Sequence, residues 1–63
     1  MKVFIDKTNE YRELEAITVK ELLDKLKINP TTVIVTKNNE LVTEEEKLKN
    51  KDEVKILSVI SGG

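Results

Sequence analysis

One amphipathic segment, Thr18 to Ile28, fixes more about how this chain can fold than any other stretch. Thr18 is a good helix N-cap, Glu21 stands where a capping box needs it, and Ile17 and Leu22 occupy the positions of a hydrophobic staple. Val19, Leu22, Leu23 and Leu26 then fall on one buried stripe, while Lys20, Glu21, Asp24, Lys25 and Lys27 cover the remaining surface. Asn29 is expected to take the left-handed position after the helix, which ends near Ile28 because Pro30 cannot continue it. A single short helix with one apolar stripe is not stable alone and requires a second layer to cover it.

The flanking segments supply that layer. Met1 to Asp6 alternates, with Met1, Val3 and Ile5 on one face and Lys2, Phe4 and Asp6 on the other. Lys7-Thr8-Asn9 is a turn cluster, and Glu10 to Ala16 is expected to return as a half-exposed strand, with Leu14 and Ala16 inward on the face of Arg12. Thr31 to Thr36 is β-branched throughout, which favours a strand interior to a sheet, with Val33 and Val35 on one face and Ile34 on the other. Asn38-Asn39 suits a two-residue hairpin turn because asparagine tolerates positive φ, and Glu40 to Thr43 forms a short return strand. Glu44-Glu45-Glu46 is expected as a solvated bend or short helical turn rather than a metal site, because carboxylates adjacent in sequence point different ways. Leu48 plugs the core, Asn50-Lys51-Asp52 turns, and Glu53 to Ile60 is a last strand with Val54 and Ile56 on one face and Leu57 and Val59 on the other. A hairpin, a helix across one sheet face and a last strand inserted beside the first would bury the aliphatic positions together. The expected fold is an α+β roll of the β-grasp type: a mixed sheet of four to five strands with one main helix packed on one face.

Composition limits the chemistry. Sixty-three residues are expected to form one domain, near the lower limit for a core without disulfides or metals. There is no cysteine, hence no thiolate and no disulfide, and no histidine, the usual general base and commonest metal ligand. No arrangement of lysine, carboxylate, Tyr11 or hydroxyl groups suggests nucleophilic or acid-base catalysis, so no catalytic or metal-binding residue is assigned and an enzyme is not expected. Eleven basic and twelve acidic residues are mixed along the chain, which argues against direct nucleic-acid binding. No apolar run reaches membrane-spanning length and no signal peptide is evident, so the expected compartment is the cytoplasm.

Function is expected at the other end of the chain, in Ile60-Ser61-Gly62-Gly63. Two glycines without Cβ atoms can enter a space too narrow for side chains, and four extended residues reach roughly 13 to 14 Å. The alternative for a terminal Gly-Gly is a frayed end or a cloning scar. The chain accordingly divides into a domain of residues 1–60 and a tail of residues 61–63.

Taken together, Met-Lys-Val-Phe-Ile at the start, Thr18-Val19-Lys20-Glu21-Leu22-Leu23, the hairpin from Val33 to Val42, Leu48 to Val54 and the closing Ser-Gly-Gly resemble the ubiquitin-like sulfur carriers. That family includes the thiamine-pathway carrier, the small subunit of molybdopterin synthase and the small archaeal modifier proteins. Asn39 and Lys51 stand where many relatives have glycine. The resemblance implies a carrier that binds no cofactor of its own. A ubiquitin-activating-like enzyme would use ATP to adenylate the Gly63 carboxylate, and a sulfur donor would convert it to a thiocarboxylate. Ser61, Gly62 and Gly63 would enter that enzyme's active site. The sulfur would pass to a synthase or a tRNA-thiolating enzyme, in thiamine, molybdopterin or tRNA thiolation. As in archaeal modifiers, Gly63 could instead be joined to target-protein lysines. The free carrier is expected to be a monomer. The other reading is a β-grasp interaction module whose Gly-Gly end is incidental.

Alternation also assigns a docking surface. If Val3, Ile5, Val33, Val35, Val54 and Ile56 face the helix, then Phe4, Ile34, Leu57 and Val59 face away from it, as an apolar partner-binding patch on the outer sheet face.

Overall fold

Alternation at the start of the chain is realised residue by residue in the computed structural model, which describes residues 1–59. Strand β1 (Lys2–Ile5) buries Val3 completely and Ile5 nearly so, with Met1 beside them, and leaves Lys2 to solvent. It pairs antiparallel with β2 (Glu10–Glu13), placing Phe4 opposite Tyr11. Strand β2 is shorter than the expected Glu10 to Ala16. The Leu14 N–H still reaches the Met1 carbonyl at 3.1 Å. The chain then leaves the sheet edge, and Leu14 and Ala16 pack against the core from outside the strand.

Helix α1 (Val19–Leu26) buries Val19, Leu22 and Leu23, the predicted stripe, with Leu26 packed at its margin. The Thr18 Oγ accepts from the Glu21 N–H at 3.2 Å, which is one half of a capping box. The Glu21 carboxylate lies 3.5 Å from Lys25. The expected staple does not form, because Ile17 is 66% exposed while Leu22 is buried. Its carbonyl accepts from the Leu48 N–H at 2.8 Å and Thr18 bridges to Lys47, so a distant segment sets the backbone entering the helix.

The helix also stops earlier than expected. Lys27, not Asn29, takes the left-handed conformation (φ 59°, ψ 40°). The Lys27 N–H donates to Asp24 O at 3.1 Å and the Ile28 N–H to Leu23 O at 2.9 Å, a Schellman closure that draws Ile28 against the core. Asn29 is thereby released to cap a 3₁₀ turn, Pro30–Thr32, its side chain accepting from the Thr31 N–H at 3.0 Å with Pro30 at the first position.

Strands β3 (Val33–Lys37) and β4 (Glu40–Val42) form the predicted hairpin, with both Asn38 (φ 53°) and Asn39 (φ 70°) left-handed as a two-residue primed turn requires. Lys51 is absent from the non-glycine residues at positive φ, so its turn does not need the glycine of many relatives. Strand β5 (Glu53–Ser58) runs parallel to β1 and antiparallel to β3, giving a five-stranded mixed sheet in the order β2-β1-β5-β3-β4. The last long strand is therefore the middle one. Val54 and Ile56 carry it into the core against Leu22, Leu23 and Leu48, and the outcome is the β-grasp. The described part of β5 ends at Ser58. Ile60, and with it the predicted boundary between residues 1–60 and the tail 61–63, lies outside the described residues.

Candidate functional site

The two ends of β5 differ in what they hold. At its entry end, Asn38 ties the hairpin to the strand: its backbone N–H donates to Glu53 O at 2.8 Å and its side-chain oxygen accepts from the Glu53 N–H at 3.0 Å. Asp52 accepts from the Lys49 N–H at 2.8 Å and from the Asn38 amide at 3.2 Å, and these bonds hold its carboxyl below the ordinary carboxylate value. Lys37 meets Glu46 at 2.6 Å, and that hydrogen bond raises the ammonium above the ordinary lysine value. Both shifted groups brace the turn region, and neither is near the exit end of β5.

The acidic run Glu44-Glu45-Glu46 works through its backbone. Carbonyls of Glu46 and Glu44 accept from the Val19 and Lys20 N–H groups at 3.0 and 2.9 Å. With Thr18 on Glu21, these bonds occupy the first three N–H groups of α1, so the helix start offers no free donors to an anion. Among the described residues no group of His, Cys, Asp or Glu could hold a metal ion, and no helix is long and apolar enough to cross a membrane.

At the exit end, the Val59 N–H donates to Thr32 O at 3.0 Å, which ties Val59 to the 3₁₀ turn that leads into β3. Above that point lies the outer face. Leu57 stands directly opposite Ile34, which is 40% exposed, whereas Val59, 46% exposed and predicted for the same patch, lies past the end of β5 and lines a cleft with Leu26 and Ile28 on the helix side. Phe4 faces outward too, but its cross-strand neighbours are Tyr11 and Lys55, not Ile34 or Leu57. Of the predicted patch, the outer face thus holds the Leu57–Ile34 pair and Phe4, whose ring lies 4.9 Å from that of Tyr11 between centroids. Lys55 stands opposite Phe4 on the same face, its ammonium 3.5 Å from the Asn39 side chain.

Two exposed residues of this face are additions to the sequence reading. Tyr11, 68% exposed, could have been assigned from parity once Leu14 and Ala16 were placed inward. Leu41, 73% exposed, follows from hairpin register, since a two-residue turn sets it opposite Thr36 on the face of Ile34. Ser61, Gly62 and Gly63, the expected reactive tail, lie outside the described residues.

Against known proteins, the ThiS family model matches residues 4–63, nearly the whole chain and including Gly62 and Gly63. The chain is also 40% identical over 45 residues to a protein of Thermus thermophilus described as the sulfur carrier protein TtuB, a match covering 71% of this chain and 69% of that one.

Proposed function

The chain belongs to the ThiS family, and from that premise we propose that it is a sulfur carrier whose Gly63 carboxylate is activated and converted to a thiocarboxylate. The observation that carries this reading is the family match through residue 63, onto the two glycines that the chemistry needs. A carrier of this kind is not itself an enzyme; it is the substrate of an activating enzyme and the donor to a sulfur-transfer enzyme.

A carboxylate is a poor electrophile until one oxygen becomes a leaving group. One Gly63 oxygen attacks the α-phosphorus of ATP and pyrophosphate leaves, forming the acyl adenylate. A sulfur nucleophile at the sulfide level then adds to the carbonyl carbon, and AMP departs with the electrons of the carbon–oxygen bond. The contribution of this chain is delivery. Val59 is fixed by Thr32, and the three following residues, Ile60, Ser61 and Gly62, lead to Gly63. Leu57 and Ile34 supply an apolar surface on which the activating enzyme docks, with Phe4 and Tyr11 as a second contact. The thiocarboxylate sulfur goes on to a small-molecule synthase or a tRNA-thiolating enzyme.

Incubation with the cognate activating enzyme, ATP and a sulfur donor tests the proposal. The intact chain should gain the mass of sulfur in place of oxygen, located at Gly63 by fragmentation. Gly63→Ala should impair activation, as should Gly62→Ala where the bound tail requires close approach or positive φ. An unchanged mass, under conditions that convert a related carrier, would refute the sulfur chemistry. A search for Gly63 joined to lysines of other proteins would then test a purely conjugating role.

A further inference from the structure

A cleft of about 550 Å³ opens on the helix side of the sheet where β5 ends. Its apolar floor includes Ile5, Leu26, Ile28 and Val33, and Val59 forms part of its wall. Its charged lining is Lys7, Arg12, Lys25 and Lys27 against one carboxylate, Glu10, on a chain whose net charge is −1. Lys25 is occupied by the Glu15 carbonyl and by Glu21. Among the described residues, Lys7, Arg12 and Lys27 have no carboxylate within 4.0 Å.

Position 27 is informative. Lysine there holds φ 59°, a conformation that glycine adopts without steric cost. The helix dipole favours a cation near a C-terminus. It does not account for Lys7 and Arg12 converging from the β1–β2 loop and from β2.

We propose that this cleft docks an acidic, aliphatic-anchored segment of a partner protein, with an apolar side chain on the Ile28–Val33 floor and carboxylates on Lys7, Arg12 and Lys27. The apolar floor and Glu10 suit a peptide better than a polyanionic backbone, which is bound by an extended basic surface. The site lies on the opposite side of the sheet from Ile34 and Leu57. This inference does not depend on the sulfur chemistry.

The test is a titration of the full-length, isotopically labelled chain with a capped peptide alternating glutamate and leucine, followed by amide chemical shifts at low salt. Shifts should concentrate at Lys7, Arg12, Lys27, Ile28 and Val59. Raising the salt should weaken the binding, and Arg12→Glu should weaken it at least fivefold. Lys27→Gly suits the left-handed backbone, so it should leave the melting temperature unchanged or raised while weakening the peptide at least threefold. The proposal is overturned by shifts confined to the outer face, by equal binding of a lysine–leucine peptide, or by tighter binding of an oligouridylate. It is also overturned if the same amides shift with protein concentration alone, which would indicate a second copy. If they shift on truncation after Val59 without peptide, the occupant is the chain's own end. Because no activating enzyme is present, failure here leaves the Gly63 proposal standing.

Discussion

The two faces of the sheet are built from the same strands by the same alternation, yet they are put to opposite uses. Val3, Ile5, Val35, Val54 and Ile56 enter a core closed by α1 and Leu48, where Val3, Leu22 and Val54 are wholly buried. Residues of the opposite parity make the outer face, where Ile34, Leu41 and Tyr11 stay exposed. Equal hydrophobicity therefore does not mean equal contribution to stability. In a domain this small the helix side carries the fold, and the outer side is available for contacts with other molecules.

That contrast can be broken most severely from the core. Leu22→Ala removes a fully buried side chain between helix and sheet and should cost about 3 kcal/mol, read as a lowered midpoint in urea unfolding. A variant as stable as the parent would mean that the helix does not close the core. The matching change outside is Leu57→Asp. It should cost about 1 kcal/mol or less in stability while weakening the activating enzyme at least tenfold in a binding titration. Wholesale unfolding of Leu57→Asp would show that the two faces have been exchanged.

Thr18→Ala tests the helix start, which both faces need but neither contains. It should cost about 1 kcal/mol and leave sulfur transfer intact below the melting temperature, because the hydroxyl serves only the Glu21 N–H. Loss of transfer in a folded Thr18→Ala chain would make Thr18 a functional residue. The smallest effect is expected from acid. The Asp52 carboxyl is held low by Lys49 and Asn38, so its contribution is present above the ordinary carboxylate value and is lost as pH falls through its folded value. Asp52→Asn should therefore lower stability slightly at neutral pH, leave it little changed in strong acid, and so flatten the acid limb of a stability-against-pH curve. Lys37 has the opposite sign: its contribution is complete below the ordinary lysine value and disappears only as pH rises through the raised one.

Features decided by near neighbours were legible in the sequence. The Thr18 cap, the stripe from Val19 to Leu26, the Asn38-Asn39 hairpin and the inward parity of Val3, Ile5, Val54 and Ile56 depend on local spacing, and the structure uses each of them. The readings that failed depended on distant segments. Ile17 would have made a staple had its carbonyl not been engaged by the Leu48 N–H. Asn29 looked the better left-handed residue, but Ile28 had to turn back onto the core one step earlier, which placed Lys27 at positive φ. The outward parity of Phe4, Ile34 and Leu57 was legible too, although not that Phe4 stands opposite Lys55, which comes from the register of β1 on β5. The basic cleft had no signature along the chain, because the β1–β2 loop, β2, the end of α1 and the end of β5 meet only after folding.

Placing β5 at the centre of the sheet also affects the timing of folding. Residues 2–5 find their parallel partner only at residues 53–56, so closure joins segments separated by most of the chain, the kind of topology that slows folding relative to a helical bundle of similar size. During synthesis, α1 and the β3–β4 hairpin are made before the strand that unites them, and β1 waits with its inner edge unpaired. The strand that completes the domain is followed directly by the residues proposed for activation, so an unfinished chain has neither a closed docking face nor a Gly63 to activate. Partner enzymes that recognise the folded sheet would thereby select finished carriers, with no separate check required.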